Sequence, residues 1–498
     1  MLNFLKYFTN RLGKKMVTIS NNEVSELGYI ERKISTWKSS HLRESQIKGE
    51  LYYKGIHDIV KRKRQVIGEN GALTEVNNLP NHRIIDNQYS KMVDQKKNYL
   101  LGQPIVFNTE NEKYNDILTT IFDKKFMKTI KDLGGNSITG GLAWVHPYYD
   151  EEGNFKFKTF PAYEILPFWA NKEHTKLNFA VRYYLEERRN GKTEDYIEKV
   201  ELYTPNGIFY YDLVNGKLKE NEEMPHRDYL TLESEEKEIG YNWDRIPLIP
   251  FKYNNFEMPL LNRCKSIQDA INIIMSDFVN GMEENAGGNS ILVLENYDGE
   301  KLDRFRQLLS QYRAVKVRST DGSKGDVRKL EIEVNAANYE LVLRELKREL
   351  VENCRGFDAK DDRMSNNPNQ MNIKSALLDL SMDSREMQSE YEASFDFLLW
   401  FVNKHILNSG LGNYENENVE IIFNIETIIN DTELMQTLIS AGVRISNKTL
   451  LKQVSFIDSI DDEIEQLKRE EQEQLNPYNS AFPINGGGND NLQNNEQD

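Results

Sequence analysis

The chain has 498 residues, of which 39% are hydrophobic and 10% aromatic, enough apolar material for two or more hydrophobic cores. Its formal net charge of −16 argues against a simple DNA-binding module, because such a module needs a basic surface to bind the phosphates of duplex DNA. The two cysteines, Cys264 and Cys354, exclude a disulfide scaffold or zinc ribbon and fit synthesis in a reducing compartment, and no apolar run is long enough to predict a membrane span.

The first part of the chain predicts helices. Residues 1–20 are basic and amphipathic, which favours a packed or frayed terminal helix over a helix lying on a membrane surface. Apolar residues at helical spacing predict helices over Asn21–Lys38, Arg43–Arg64 and Asn87–Leu101, the last ending before a glycine and a proline. A further helix is predicted over Glu112–Gly134.

Alternating apolar and polar residues then predict antiparallel strands. LAWVHPYYD, starting at Leu142, and the following FKFKTFP predict a hairpin around a Glu-Glu-Gly turn. Three more strands are separated by Asn-Gly pairs, which supply the positive φ angles that tight hairpins need. These strands are Phe179–Arg189, Tyr196–Tyr203 and Ile208–Val214.

The helical period returns at Pro259 and continues to Glu284. One broad apolar face of this helix carries Ile267, Ile271, Ile274, Met275, Phe278 and Met282. A second helix is predicted over Ala336–Cys354, and a small α/β unit separates the two. Its elements are a strand in ILVLENYDG, a helix over Glu300–Tyr312, and strands over Ala314–Arg318 and Val327–Val334.

The remaining chain predicts a loop, a long helix, a strand, a helical segment and a tail. The loop Asp358–Asn372 has no apolar pattern, and Ile373–Leu407 has a helical one. Residues 476–498 are rich in Asn, Gly and Gln and predict disorder. The strand is Glu420–Ile425, and the helical segment is Asp431–Leu467, broken near Gly442. The predicted fold class is therefore α+β.

No set of residues predicts a catalytic, cofactor or metal site. Gly191-Lys192-Thr193 has Glu186 where a P-loop needs its first glycine, and it reads as a hairpin turn. The glycine pairs at 134–135 and 140–141 favour a helix-to-strand connection over a phosphate cradle, and the lone His146 on a strand favours a structural role. The acids Asp358, Asp361 and Asp362 are metal-ligand types, but three acids in a loop favour simple solvation. We therefore predict no enzymatic activity and no cofactor.

The strongest local positive patch is the run Lys61, Arg62, Lys63 and Arg64. Cations are common at the C-terminal ends of helices, so one interpretation is a solvated helix end. The other interpretation is a contact with nucleic acid on an otherwise acidic body.

Three ordered stretches resemble the portal, or head-to-tail connector, proteins of long-tailed phages that infect Gram-positive bacteria. They are HRIIDNQYSKMVDQKKNYLLGQP at His82, GGLAWVHPYYDEEG with FPAYEILPFW, and NWDRIPLIPFKYNNFEMPLL leading into SIQDAINIIMSDFVNGMEE and ILVLENYDG. Their order and spacing fit that family from about residue 40 to 410, whereas residues 1–20 and the tail lie outside the resemblance. The two rods separated by a small α/β unit, found independently above, agree with it.

The resemblance implies a portal-like, multidomain α+β subunit with a wing, a two-helix stem, a small α/β clip, a long wing helix and a helical crown. It also implies a tunnel loop that projects toward DNA, with Asp358, Lys360, Asp361, Asp362, Arg363, Asn366 and Asn367 as candidate channel residues. An ordinary surface connection is the alternative for that loop. The implied regions are an N-terminal extension 1–20, wing 21–257, first stem helix 258–288, clip 289–335, second stem helix 336–356, tunnel loop 357–372, long wing helix 373–410, crown 411–470 and disordered tail 471–498.

The resemblance further implies a virion component, assembled in the host cytoplasm, with twelve copies in a ring at one capsid vertex. Its partners would be further copies of itself, the double-stranded DNA that passes through the ring, terminase, the major capsid and scaffolding proteins, and a head-tail adaptor, with no membrane. Two alternatives come from other classes: a DNA-processing enzyme such as a terminase subunit, and a cellular scaffold without a DNA channel. The first would need a P-loop or a nuclease carboxylate set, and the sequence predicts neither.

Overall fold

The computed structural model shows an α+β fold, with antiparallel sheets and long helices. Contacts divide the chain into two units, Met1–Asn367 with Lys374–Glu426, and Pro368–Ile373 with Thr427–Asp498. In the second unit, residues 466–469 are helical, and every element named below belongs to the first. The structure describes residues 26–67, 71–77, 79–190, 193–234, 237–286, 291–295, 301, 326–330, 336–358, 375–425, 464 and 466–469.

Several helices begin at a polar side chain that accepts a hydrogen bond from the first turn. Asn87 accepts from the backbone N–H of Ser90, and Asp123 accepts from that of Phe126. Among the described residues, no helix is long and apolar enough to cross a membrane. The helices are α1 (Glu26–Lys38), α2 (His41–Tyr53), α3 (Gln88–Leu101), α4 (Glu112–Ile121), α5 (Lys124–Gly140), α6 (Leu261–Ala286), α7 (Ala336–Asn353) and α8 (Leu378–Asn408).

The sheets are antiparallel. The largest has the strand order β10-β9-β8-β7-β6, with β11 also paired to β9, and a three-stranded sheet has the order β14-β4-β5. Four two-stranded pairs complete the set: β1-β2, β12-β13, β15-β16 and β17-β3. The strands are β1 (Gln65–Ile67), β2 (Leu73–Glu75), β3 (Val106–Asn108), β4 (Leu142–Tyr149), β5 (Phe155–Pro161), β6 (Ile165–Trp169), β7 (Leu177–Asn190), β8 (Thr193–Thr204), β9 (Gly207–Val214), β10 (Lys217–Glu220), β11 (His226–Arg227), β12 (Leu230–Ser234), β13 (Lys237–Tyr241), β14 (Ile249–Lys252), β15 (Ile291–Glu295), β16 (Asp326–Leu330) and β17 (Glu420–Ile422).

Helix α1 covers one face of the six-stranded sheet and forms a core with it. Ile30, Ile34 and Trp37 recur at helical spacing and are buried against apolar side chains of β7, β8 and β9. Alternate residues of β7, such as Val181 and Tyr183, face this core, as expected for a strand with one buried face.

The main core surrounds α8. Phe395 lies fully buried, with ring centroids 5.0 Å from Phe251 of β14 and 5.3 Å from Phe107 of β3. Tyr391, one turn earlier, packs on Phe251 as well. Helices α3, α5, α6 and the C-terminal end of α7 add buried side chains to the same core, which places α8 among them.

The structure confirms most predicted elements and corrects three. The predicted helix Arg43–Arg64 is wrong after Tyr53, because Gly55 takes a left-handed φ of 80° that ends the helix. The predicted helix Glu112–Gly134 is two helices, since α4 ends at Ile121 and Asp123 caps α5. Only the second glycine pair connects helix to strand, because 134–135 lies inside α5. The elements predicted over 300–312, 314–318 and most of 431–467 lie outside the described residues.

Candidate functional site

Four polar side chains form a buried row along α6. Gln268, Asn272, Ser276 and Asn280 stand four residues apart, so they share one face of the helix. Each is 1% exposed or less, and buried polar groups need hydrogen-bond partners. They find these partners in the neighbouring segment 80–89, which we call the strap.

The strap runs antiparallel to α6, and its backbone matches the polar row. Two residues of extended chain span about 6.6 Å and four residues of helix about 6 Å, so the amides of residues 82, 84 and 86 meet successive fourth residues of the helix. The amide of Tyr89, in the first turn of α3, meets the last residue of the row. This match fixes the lengthwise position of α6 against the body of the subunit. The hydrogen bonds are His82 N to Asn280 Oδ1 (2.8 Å), Ile84 N to Ser276 Oγ (2.9 Å), Asp86 N to Asn272 Oδ1 (3.0 Å), Tyr89 N to Gln268 Oε1 (3.0 Å), and Gln268 Nε2 to the carbonyl oxygen of Asp86 (2.7 Å).

The basic run 61–64 lies beside the same helix. Lys61 ends a short 3₁₀ helix and is exposed, Arg62 is extended, and the next two residues lie between this helix and β1. Acidic side chains hold these three: Arg62 Nη2 lies 2.6 Å from Asp277, Arg64 Nη2 lies 2.7 Å from Glu284, and Lys63 Nζ lies 2.8 Å from Glu75. The two arginines therefore attach this segment to the C-terminal half of α6. A contact of the run with nucleic acid stays a prediction.

Helices α6 and α7 pack against each other, with the ring centroids of Phe278 and Tyr339 5.0 Å apart. Part of the apolar surface of the pair remains open, because Leu341 and Val342 of α7 are 48% and 45% exposed. Lys347 Nζ of α7 lies 2.6 Å from a carboxylate oxygen of Asp86 in the strap. The helix pair is thus held to the strap from both sides.

The two cysteines meet where α7 ends. Cys264 of α6 and Cys354 are free, fully buried thiols. A hydrogen bond between the two thiols, together with burial, raises the pKa of Cys264. Both therefore belong to the packed core and not to a reactive site.

The chain that leaves α7 is tied to α3. The side-chain amide of Gln95 accepts a hydrogen bond from the N–H of Phe357 (2.7 Å) and donates one to its carbonyl oxygen (2.8 Å). Lys96 Nζ donates to the carbonyl oxygen of Arg355 at 3.1 Å, and Arg355 has a left-handed φ of 51°. These contacts fix the backbone up to Phe357.

A buried carboxylate, Asp383, connects α8 to four other elements. Its Oδ2 accepts hydrogen bonds from Lys96 Nζ (2.6 Å) and from the hydroxyl of Tyr253. Its Oδ1 accepts from Arg263 Nη1 (2.7 Å) and Arg355 Nη1 (3.3 Å). We refer to these five residues as the Asp383 network. It connects α8 with α3, α6, the end of β14 and the end of α7.

The network stabilises the ionised form of the Asp383 carboxylate. Lys96 and Asp383 are each 2% exposed, so both have lost nearly all of their hydration. Burial alone would raise the pKa of Asp383, but the charge of Lys96 and hydrogen bonds from Arg263, Lys96 and Tyr253 lower it below its ordinary value. Asp383 is therefore ionised, and it is the carboxylate that neutralises the buried ammonium group.

The predicted DNA-channel residues begin directly after this anchored segment. Asp358, the first of them, is described and is half-buried. Lys360, Asp361, Asp362, Arg363, Asn366 and Asn367 lie outside the described residues, so their role stays a prediction. What the structure adds is the root of the loop at Phe357, which Gln95 holds in place.

The other residues considered in the sequence analysis show no functional cluster among the described residues. His146 of β4 is buried, its Nδ1 lies 2.6 Å from the carbonyl oxygen of Pro247, and burial lowers its pKa to about 4. On either side of the Gly-Lys-Thr sequence, Asn190 of β7 pairs with Thr193 of β8, and Gly191 and Lys192 lie outside the described residues. Across the described residues, no three His, Cys, Asp or Glu side chains lie close enough together to hold a metal ion.

The sequence prediction missed the polar row and the Asp383 network. The row has a signal, the four-residue spacing of Gln268, Asn272, Ser276 and Asn280 inside an apolar helix. The network has none, because Lys96 and Asp383 are 287 positions apart and each belongs to a polar stretch of sequence.

Comparison with known proteins gives matches over most of the chain. The model of the family described as "Phage portal protein, SPP1 Gp6-like" matches residues 39–476. The portal protein of Bacillus phage SPP1 is 27% identical over 461 residues, which is 90% of this chain and 88% of that protein. The portal protein of Clostridium phage phiCD119 is 25% identical over 440 residues, 86% of this chain and 93% of that one. A solved chain from the neck of an empty GTA particle aligns with a TM-score of 0.36 and 9% identity over 73% of this chain and 88% of that chain.

Proposed function

Since the chain belongs to the SPP1 Gp6-like family of phage portal proteins, we propose that it forms a closed ring at one capsid vertex and that duplex DNA enters and leaves through the ring. The match of the family model to residues 39–476 is the observation that carries this proposal. The long α6–α7 pair supports it, because Leu341 and Val342 leave apolar surface for a neighbouring copy. The subunit would act as a virion component assembled in the host cytoplasm.

Electron microscopy of the purified full-length chain tests the ring directly. We expect closed rings with a central hole, twelve subunits in the virion and heterologous contacts between copies. Native mass spectrometry provides the second measurement. Only monomers or dimers over a range of salt concentrations would overturn the proposal.

The described elements support a division of the subunit into functional regions. The stem would consist of 258–288 and 336–356, because α6 and α7 form a packed pair of rods. The clip, 289–335, would contain the antiparallel strands β15 and β16. The wing would comprise 21–257 and the long helix 373–410, and the crown 411–470.

We propose that the loop 357–372 meets DNA in the channel. Its mixed charges would let Lys360 and Arg363 touch phosphates, while its aspartates limit their grip, because strong phosphate contacts release counterions and would hold DNA in place. Changing Asp361 and Asp362 to Lys should leave rings intact and slow packaging, most strongly at low salt. Changing both to Asn is the matched control, since it removes charge without adding cations. Wild-type packaging and DNA retention in the lysine variant would show that the loop does not contact DNA.

The basic run allows a second, smaller contact. Acidic partners hold Arg62, Lys63 and Arg64, so Lys61 is the residue of the run best placed to meet a phosphate. Changing Lys61 to Ala should weaken DNA retention slightly while ring assembly is unchanged. Equal retention would assign the run to attachment of α6 alone.

In this proposal, a partner protein would supply the energy for DNA packaging. A separate terminase would hydrolyse ATP, a head-tail adaptor would dock after packaging, and the major capsid and scaffolding proteins would surround the ring. We expect purified rings to show no ATPase or nuclease activity with Mg²⁺ or Mn²⁺. Activity that copurifies with the ring and disappears in an Asp361→Ala, Asp362→Ala variant would contradict this.

A further inference from the structure

A single aromatic side chain stands out from the turn that joins β14 to α6. Phe256 is 83% exposed. The turn beneath it is built around Asn254, which is only 2% exposed. The Asn254 side chain accepts hydrogen bonds from the N–H groups of Phe256 and Met258, both at 3.1 Å, and donates one to the carbonyl oxygen of Met258 at 2.8 Å. A buried polar side chain thus holds the backbone that presents an exposed phenyl ring.

The turn is braced on its other side as well. Glu257 has a left-handed φ of 54°, and its carboxylate is held by Lys252 Nζ at 3.0 Å and His174 Nδ1 at 2.7 Å. His174 also has a left-handed φ, 55°, and its ring stacks on Trp169 with centroids 4.8 Å apart. Such backbone conformations in residues other than glycine cost about 1–3 kcal/mol each and are concentrated at functional sites. The hydrogen bonds of Asn254 and the ion pairs of Glu257 hold this backbone conformation and, with it, the exposed position of Phe256.

The same subunit carries an apolar cleft that fits a phenyl ring. The cleft lies between the end of α3 and the first half of α5. Its apolar lining is Leu101, Ile105, Met127 and Ile130, and Gln103, Lys128 and Lys131 also line it. Its volume is about 190 Å³. A cavity of roughly 150 Å³ lined by aliphatic side chains accommodates benzene. The cleft therefore has enough volume for one aromatic side chain.

We propose that Phe256 of one copy inserts into this cleft of the next copy in the ring. The inference rests on the proposed function, because a closed ring needs two different, complementary surfaces on each subunit. Phe256 supplies a preorganised projection and the cleft supplies its receptor. Aromatic side chains that enter apolar pockets supply a large share of interface energy.

The strength of ring assembly tests the role of Phe256. Sedimentation and native mass spectrometry over a dilution series should show rings for the wild type. In Phe256→Ala, the subunit affinity should fall about 30-fold, the size of a hot-spot effect. Ile67→Ala is the matched control, because Ile67 is 77% exposed but lies in the β1–β2 hairpin. Both variants should keep the wild-type melting behaviour of the subunit, since both side chains are exposed.

Wild-type rings with unchanged affinity in Phe256→Ala, or an equal loss in Ile67→Ala, would overturn the contact and leave the ring intact as a proposal. Absence of rings in the wild type would overturn the proposed function and the contact with it.

Disulfide trapping tests the pairing itself. The native thiols Cys264 and Cys354 are fully buried, so they give little background. Oxidised rings of the double variant Phe256→Cys, Met127→Cys should give covalent dimers, trimers and larger ladders on denaturing gels without reductant. Each single variant should stay monomeric on the same gels. Intact rings of the double variant without ladders would show that Phe256 does not enter this cleft.

Discussion

Replacing Asp383 by Asn tests whether the buried network holds the elements around the loop root together. Asn has nearly the same shape, so the change removes charge without opening a cavity. Lys96, 2.6 Å away and 2% exposed, is then left as a buried cation whose carboxylate is gone. Removing one partner of such a pair typically costs about 3–5 kcal/mol of unfolding free energy. We expect a value near the lower end, because an amide oxygen still accepts one hydrogen bond.

Chemical denaturation of the full chain measures this cost as a shift of the unfolding midpoint. Asp132→Asn is the control, because its ion pair with Lys128 is widely exposed, and we expect a change of less than about 0.5 kcal/mol. Lys96→Met in the Asp383→Asn background should recover part of the loss, since it removes the unpaired ammonium group. An Asp383→Asn variant within about 1 kcal/mol of wild type, or no recovery in the double variant, would refute this reasoning.

The remaining predictions concern other parts of the main core. His146 is neutral in the fold because its pKa is about 4, whereas the unfolded chain binds this proton near pH 6.5. The free energy of unfolding should therefore fall by about 1.4 kcal/mol for each unit by which the pH is lowered from 6.5 to 4. His146→Asn should flatten that slope in pH-dependent denaturation, and an unchanged slope would contradict the assignment. Gly141→Ala should lower the melting temperature strongly, because φ is 82° and the new Cβ would lie 2.1 Å from the carbonyl oxygen of Glu257. Gly153→Ala, with a φ of 78° and open space around it, should show only the conformational cost of about 1–2 kcal/mol. Asn272→Leu should leave a strap amide unpaired, and faster hydrogen exchange across the strap would reveal it; unchanged exchange would mean that the row does not hold the strap.

The antiparallel region is predictable from sequence because its turns are local. Asn215 and Gly216 both take positive φ angles, 51° and 75°, which the Asn-Gly pair makes possible between β9 and β10. The helix α3 is equally local, with Asn87 as its cap. In both cases the residues that determine the structure lie next to each other in the chain.

The helix breaks were missed for a physical reason. Apolar residues continue at helical spacing across Gly55 and across Asp123, so periodicity alone predicts unbroken helices. The breaks come from a left-handed glycine and from a cap that satisfies the amides of a new first turn. Packing of α5 against its neighbours determines which option is taken, and a pattern of apolar residues does not contain that information.

The candidate site was hidden from sequence for a related reason. A polar residue in a helix ordinarily predicts a solvent-facing position, so the sequence alone does not predict the burial of Gln268 and Asn272 in α6. Their burial depends on the strap, whose backbone is about 180 positions away in the chain and supplies the missing donors. Lys96 is a comparable case, since only a carboxylate far along the sequence makes its burial tolerable.

These contacts also show that several basic side chains pair with carboxylates inside the subunit. Arg62 and Arg64 attach a segment to α6, and Lys96 and Arg263 converge on Asp383, so these cations already have carboxylate partners inside the subunit. A phosphate that competed for them would have to displace a short ion pair and, at Lys96, reach a buried group. In this part of the described chain, positive charge therefore stabilises the arrangement of long helices and contributes little to a field that attracts DNA. Under the proposed function, an acidic subunit built this way would line a passage for a polyanion without binding it tightly, because its cations already have carboxylate partners.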